Sequence, residues 1–552
     1  MTSRGSSETA IEVLQHPAGY FPHGLEGLDA QQDLDETLDR GLGALHHIRS
    51  KTRSAVDEQV ISWERDDAEN PYNWPSSRKI FILYLSSMLV FNSTLGSALP
   101  SMAIPSITAD FGVSSKGQKV LPISIFLIGY VVGPIIWGPL SEHFGRRSLT
   151  VLTFVAFMLF TMACALAPNW PALLVFRLFC GVFASAPIAI VAGILADLFD
   201  DAKTRGRAFA IYMVTTVFGP IVSPILSGFT SSTIGWRWAF WIALMYAGVT
   251  LALIFFLPET FAPILLARRA ARMRAAHGSS KTVAPRDLEN TDMKQLLTVV
   301  LARPLRMLVS EPIVSAICLY LALVYAIFYM SFQAFPLIFR GVYGLAPGVA
   351  GLCYLPIGGG ALLTIPIFWK WDGVLARMQS HSRPWLAREE FRRLPLACFG
   401  GPLFVISLFW LGFSARLSVF VVPMLAGIFF GMGFVLIFMA LLNYLTDAYQ
   451  LFAASANAAS SCTRSLFAVV LPLATTTMFE SLGIAGACSL LGGLSAAMCI
   501  IPFVFLYKGP SLRKRSHFCN LLRQRKEDLL RNMAEQERQS ASTHNEKHTG
   551  LV

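Results

Sequence analysis

Two arginines fall where a membrane chain least tolerates charge. Arg177 lies within the apolar run 171–196 and Arg464 within the run 456–477. At 1.5 Å per residue Arg177 is about 9 Å inside its run. A guanidinium in hydrocarbon costs at least ~2.5 kcal/mol unless it is paired or meets water. Two roles are open to each: lining a polar cavity, or bonding backbone carbonyls or snorkelling towards water. Asn92, near the middle of the run 80–100, reads as a third polar group on a pathway. Asn92-Ser93-Thr94 fits the glycosylation pattern, but its depth argues against modification. The run 313–338 carries Tyr320, Tyr325, Phe328, Tyr329, Phe332, Gln333 and Phe335. That series suits a wide apolar pocket with a few polar anchors, in which Tyr325, Tyr329 and Gln333 would touch a ligand. An aromatic stripe facing lipid or core is the plainer alternative.

Acids are absent from the middle of every apolar run. Asp110, Glu142, Asp197, Glu259, Glu311, Asp447 and Glu480 all fall between runs or at their ends. A strongly cationic ligand such as a polyamine therefore lacks a buried counter-ion; neutral amphipathic or weakly anionic molecules fit better. A proton relay would have rim acids such as Glu142 and Asp447, or a ligand's own proton. The loops hold no G-x-S-x-G, H-E-x-x-H or phosphate-binding loop, so neither an enzyme nor a cofactor is indicated. The 9 cysteines have no C-x-x-C spacing, which leaves small packing residues rather than a metal site or a disulfide framework.

The elements that must position these groups are membrane helices. The chain is 54% hydrophobic and 14% charged, against roughly 25% charged in soluble proteins. Runs of about 20 apolar residues occur at 80–100, 120–140, 149–167, 171–196, 208–230 and 238–257. Six more follow at 313–338, 348–369, 395–413, 417–441, 456–477 and 484–507. The polar gap between the two groups holds Arg268, Arg269, Arg272, Arg274, Lys281, Arg286 and Lys294 and reads as a flexible linker. The expected division is a mostly disordered tail 1–75, a six-helix bundle 76–258, a linker 259–311, a second bundle 312–508 and a tail 509–552.

Basic residues set the expected orientation. One set of loops carries Arg146 and Arg147, then Lys203, Arg205 and Arg207, the linker, then Arg377, Arg383, Arg388, Arg392 and Arg393, with Arg513, Lys514 and Arg515 following the last run. The opposite loops are nearly bare, with Lys116, Lys119, Arg237, Arg340 and Arg416. The first set is expected in the cytoplasm with both termini. The net charge of +11 then faces anionic lipid rather than nucleic acid.

One loop is the most specific signal. Gly138-Pro139-Leu140-Ser141-Glu142-His143-Phe144-Gly145-Arg146-Arg147 resembles the Gly-x-Leu-x-Asp-x-x-Gly-Arg-Arg/Lys signature of the major facilitator superfamily, with Glu142 at the acidic position. Leu173 to Gly181, around Arg177, is similar to its intramembrane arginine motif. Gly219-Pro220-Ile221-Val222-Ser223-Pro224-Ile225-Leu226-Ser227-Gly228 is similar to its antiporter motif, although Pro224 and Ser227 replace the usual glycines. Leu257-Pro258-Glu259-Thr260 closes the sixth run. Asn70-Pro71-Tyr72-Asn73-Trp74-Pro75, Asn443 to Tyr449 and Ser455-Ala456 resemble fungal twelve-span drug:proton antiporters.

The resemblance implies an all-α fold of twelve transmembrane helices in two six-helix bundles, with a substrate site between them that faces each side in turn. It implies that Gly138, Glu142, Gly145, Arg146 and Arg147 latch one arrangement; a plain positive-inside anchor is the alternative. It gives Arg177, with Arg464 and Asp447, a role in proton coupling or a cavity network. Gly219, Pro220, Pro224 and Gly228 would bend the fifth helix and press it against the other bundle. Gln333 stands where many fungal relatives carry a glutamate, which leaves the usual protonatable acid missing. The expected function is proton-driven export of small amphipathic compounds: drugs, toxins or secondary metabolites. Import or uniport of a nutrient or polyamine, and a non-transporting receptor, are the alternatives. The expected partners are a small-molecule substrate, protons and the lipid bilayer. A monomer in the plasma membrane is expected, with the vacuolar membrane as the other location.

Overall fold

The computed structural model describes residues 59–524 apart from 65, 278–281, 285–292, 381–388, 417, 450–451, 517 and 521–523. The expectations for residues 1–58 and 525–552, and for Lys281, Arg286, Arg383 and Arg388, lie outside the described residues.

Apolar runs too long for a soluble core become membrane-length helices because no water is available to satisfy an open backbone in lipid. The first six spans are Ser76–Ala98, Lys116–Phe144, Arg146–Ala165, Trp170–Leu198, Thr204–Thr233 and Arg237–Ile254. Spans 7 to 10 are Pro312–Arg340, Pro347–Leu375, Glu390–Ser414 and Val421–Tyr449. The remaining helix, Ala453–Lys514, is two spans run together. Gly483 sits inside it at φ 70° and ψ 174°, a left-handed position that glycine adopts without strain. It separates span 11, 453–482, from span 12, 484–514. Twelve crossings bring Ser76 and Lys514 to one face, here the basic face; the opposite one is the far face. Span 10 runs to Tyr449, beyond the expected end at 441, and so carries Asp447 on its last turn.

Two polar segments carry regular structure. Residues 259–311, read as a flexible linker, contain the helices Ala262–His277 and Met293–Ser310. The alanine, leucine and arginine of 262–277 are strong helix formers, which polar composition alone conceals. The stretch before span 1 is held from Gln59 onward. Gln59–Val60 pairs in parallel with Thr282–Val283. Asp67 is bonded to Arg269, and Glu69 lies 3.0 Å from Arg272. Asn70 caps the turn at Pro71 by accepting from the Tyr72 amide at 3.1 Å. The Tyr72 hydroxyl reaches the Ala196 carbonyl at the end of span 4 at 3.4 Å.

Several contacts join the two bundles. Span 2 lies on span 11, with Ser124 donating to the Val469 carbonyl at 3.3 Å and Lys116 pairing with Glu480 at 2.8 Å on the far face. Span 5 lies on span 8. Span 7 reaches span 1 through Tyr329, whose hydroxyl donates to Ser97 Oγ at 3.0 Å.

Candidate functional site

The turn between spans 2 and 3 is organised by a carboxylate from outside it. Gly145 turns the chain at φ 95°, and span 3 begins with amides that have no intrahelical partner. Glu259, buried after span 6, accepts the Arg146 amide at 2.9 Å and the Arg147 amide at 3.3 Å. The same carboxylate accepts the Thr260 and Phe261 amides at 3.1 Å each. An anion at a helix N-terminus is stabilised by the aligned peptide dipoles. A Cβ on Gly145 would run into Glu259 Oε2, so both the backbone angle and the space require glycine.

Arg146 is buried among spans 2, 3 and 4. Its Nε donates to Asp197 at 3.2 Å, its Nη1 donates to Ser141 Oγ, and its guanidinium lies 4.9 Å from the Phe261 ring. Arg147 donates instead to the Phe255 carbonyl at 3.0 Å. Glu142 is half-exposed and forms a looser ion pair with Arg146 at 3.9 Å, without the hydrogen bond that Asp197 makes. Asp197 makes the closer contact because the end of span 4 lies inside the bundle, whereas Glu142 faces outward. A Cβ on Gly138 would meet nothing within 4 Å, so no close helix approach requires glycine there.

The second bundle uses similar parts. Arg393 Nε of span 9 donates to Asp447 of span 10 at 2.8 Å, at the positions that Arg146 and Asp197 hold on spans 3 and 4. Asp447 therefore belongs to the basic face and not to the cavity. Buried Glu390 is bonded to Arg513 at the end of span 12. Buried Glu311 accepts the Tyr449 hydroxyl at 2.9 Å and the Phe518 amide at 3.2 Å.

Arg177 is almost fully enclosed, and its donors go to backbone. Nε donates to the Pro122 carbonyl at 2.8 Å, Nη1 to Gly96 at 2.7 Å and Nη2 to Ser97 at 2.9 Å. Gly96 and Ser97 lie in the last turn of span 1, whose carbonyls have no intrahelical partner and carry the negative end of the dipole. The Phe126 ring covers the guanidinium at 4.4 Å. Of the two roles the sequence leaves open for Arg177, the geometry supports the bond to carbonyls: the side chain caps span 1 and ties it to spans 2 and 4.

Arg464 is placed differently. A small cavity of about 60 Å³ lies between the bundles. Tyr130, Ser185, Tyr212 and Thr216 line it from one side, and Tyr325, Phe434, Phe438, Ser461, Arg464 and Ser465 from the other. The Arg464 guanidinium lies 5.3 Å from the Phe438 ring and 5.7 Å from Tyr325. Arg464 and Tyr325 are thus the sequence-predicted residues that reach the cavity. Tyr329 packs behind Tyr325, ring centroids 5.0 Å apart. Asn92 does not line this cavity; its amide donates to the Met88 carbonyl at 2.9 Å and to Thr250 Oγ1 at 2.8 Å, joining spans 1 and 6. Gln333 is also off the cavity, with both amide atoms buried and unbonded. Tyr130 and Tyr212 were not singled out in the sequence; a tyrosine within an apolar span was their available signal. Asp197 was noted there only as an acid at a span end, and Glu259 also as part of Leu257-Pro258-Glu259-Thr260 closing the sixth run.

The Gly219 to Gly228 segment serves two neighbours. A Cβ on Gly219 would lie 2.6 Å from the Leu95 amide, and Ser223 donates to the Leu95 carbonyl at 2.6 Å. This half of the motif therefore packs on span 1 of its own bundle, not across the interface as expected. The other half crosses. A Cβ on Gly228 would overlap the Pro347 carbonyl of span 8, and one on Gly351 would lie 2.7 Å from the Pro224 carbonyl. Pro220 and Pro224 each remove one backbone donor inside span 5.

The pattern of the Major Facilitator Superfamily matches residues 86–466. The MFS transporter prlG of a fungal species (strain NRRL 50135) is 37% identical over 472 residues, covering 85% of this chain and 99% of its own length. The efflux pump FUB11 of Gibberella moniliformis is 34% identical over 503 residues, covering 88% of this chain and 84% of its own. Among solved structures, the proton:xylose symporter XylE bound to 6-bromo-6-deoxy-D-glucose superposes with a TM-score of 0.58 at 17% identity, covering 79% of this chain and 96% of its own. That last likeness bears on the fold alone. With its twelve spans, its glycine-arginine turn and these matches along most of its length, the chain belongs to the major facilitator superfamily.

Proposed function

We propose that this protein exports small amphipathic organic compounds by alternating access, driven by the proton gradient. The observation that carries the reading is the cavity between the bundles: aromatic and hydroxyl-lined, with one guanidinium and, among the described residues, no acid. Such a wall suits drug-like or secondary-metabolite cargo and disfavours polycations. The name efflux pump borne by the relative from Gibberella moniliformis supports the outward direction.

In this conformation the far face is closed by the Lys116–Glu480 pair and by Gly228 against Pro347. The cavity, about 60 Å³, is well below the ~300 Å³ of a drug-sized site, so cargo binds after the basic face opens. The moving units are the bundles 76–258 and 312–508, joined by 259–311. Both tails and the basic face are cytoplasmic, which the Lys and Arg imbalance supports, and the protein works as a monomer in the plasma membrane. Proton exchange is assigned to the Arg146–Asp197 and Arg393–Asp447 pairs, since the cavity offers no carboxyl group of its own.

Purified protein in liposomes with an imposed pH gradient tests this. Gradient-dependent flux of amphipathic compounds, abolished by a protonophore, is expected. Absence of flux for every such compound overturns the reading.

A further inference from the structure

The two intramembrane arginines are not equivalent. Arg177 donates to three carbonyls, so its hydrogen-bonding capacity is largely spent. Arg464 lines the cavity, its Nε is buried without a partner, and among the described residues no carboxylate forms an ion pair with it. Its electrostatic neighbours are Tyr325, Tyr212, Cys318 and Cys462, none of which carries a standing negative charge. It lies ~16 Å along its helix from Ala453, at mid-bilayer depth. An intramembrane guanidinium without a counter-ion is retained at a cost in stability, and among the described residues no backbone acceptor takes the buried Nε.

We propose that Arg464 is the recognition group for an organic carboxylate, so that the exported cargo is a planar monoanion. The inference rests on the export reading above and names the class of its substrate. A guanidinium presents parallel N–H donors that match a carboxylate edge. One arginine balances one negative charge; a phosphate dianion would leave a net charge in the membrane. Phe438 and Tyr325, already against the guanidinium, offer faces on which an aromatic ring stacks. Ser461 and Ser465 supply hydroxyls on the same helix. Pairing with Arg464 also removes the cost that either charge would meet alone in the bilayer.

The test uses the purified full-length protein and three probes with one ring system: naphthalene-2-carboxylate, naphthalene-2-carboxamide and naphthalen-2-ylmethylammonium. Calorimetric binding should rank the carboxylate about tenfold tighter than the carboxamide, with the ammonium weakest. Arg464→Gln should erase the carboxylate's advantage and leave carboxamide affinity within about twofold, while Arg464→Lys keeps part of it. Equal affinity for carboxylate and carboxamide in the unmodified protein overturns the proposal, and so does a preference for the ammonium. Retention of the carboxylate preference in Arg464→Gln overturns it as well. If Arg464→Gln fails to fold, the ranking in the unmodified protein and in Arg464→Lys decides. In liposomes, export of the carboxamide without preference for the carboxylate sinks the anion site and leaves the export reading standing. No binding and no flux of any amphipathic compound sinks both.

Discussion

Tyr329 of span 7 donates a hydrogen bond to Ser97 of span 1 at 3.0 Å, and the carbonyl of Ser97 is itself held by Arg177 at 2.9 Å. One hydroxyl therefore joins the second bundle to the arginine that organises the first. Tyr329→Phe keeps the ring against Tyr325 and Phe332 and removes that bond. A loss of about 1 kcal/mol is expected, with the balance between far-closed and far-open states shifted about fivefold towards far-open. Distances between spin labels on the two bundles read the shift; an unchanged distribution would show that the bond does not discriminate between the states.

Arg177→Ala leaves three buried carbonyls without donors. At about 1–3 kcal/mol each, the expected cost is at least about 3 kcal/mol, enough to remove most folded protein. Arg177→Lys, which cannot span three acceptors in a plane, should recover part of it. Yield of monodisperse protein and its thermal midpoint are the measurements. A stable Arg177→Ala protein that binds cargo but has lost proton dependence would return this residue to coupling.

Glu259 and Glu142 should separate cleanly. Glu259→Ala strips four amides of their acceptor and is expected to cost about 2–4 kcal/mol. Glu142→Ala removes a half-exposed group and should cost less than about 1 kcal/mol. Gly145→Ala should behave like the first, through strain and collision with Glu259. Thermal unfolding of the three variants ranks them, and equal effects at positions 142 and 259 would contradict the geometry.

Lys116 and Glu480 are both more than half exposed, so their pair adds little to folding, yet it joins the bundles at the far face. Lys116→Glu should open that face to water-soluble thiol reagents at a nearby introduced cysteine. The double exchange Lys116→Glu with Glu480→Lys should close it again. High salt should blunt the difference. If the single exchange leaves labelling unchanged, this pair is no gate.

Asp110 accepts from the Trp236 indole at 2.9 Å and from Arg237 at 2.7 Å. These donors, the indole first, hold its carboxyl below the usual carboxylate range. The folded value lies under the unfolded one, so the stabilisation is complete above about pH 4 and is lost as pH falls through the folded value. Thermal scans from about pH 6 to about pH 3 should show an acid limb that flattens in Trp236→Phe with Arg237→Gln. An identical acid limb in the variant assigns the loss to other groups.

The map of spans was legible because a membrane helix is a statement about about 20 consecutive residues. The family resemblance also pointed to Gly145, the arginine turn and the double proline of span 5. What stayed hidden depended on which span ends come together. Nothing local to Arg177 indicates that the frayed end of span 1 lies beside it, and Asp197 and Glu142 look alike until one of them is turned inward. Asn92 shows the converse: its depth was read correctly, but its partner Thr250 lies 158 residues away. The helix 262–277 was missed because charge was taken as a sign of disorder, although its arginines answer Asp67 and Glu69.

The small parallel ladder between Gln59–Val60 and Thr282–Val283 sets a leash on the machine. Because the chain ahead of span 1 is stitched to residues 282–283, the first part of the connector is anchored to the bundle it leaves. Ten residue steps separate Val283 from Met293, where the next helix begins. Fully extended, this stretch reaches about 35 Å at most, an upper bound on how far these two anchor points can separate in any stroke. Cutting the ladder would lengthen the leash without touching a single membrane helix.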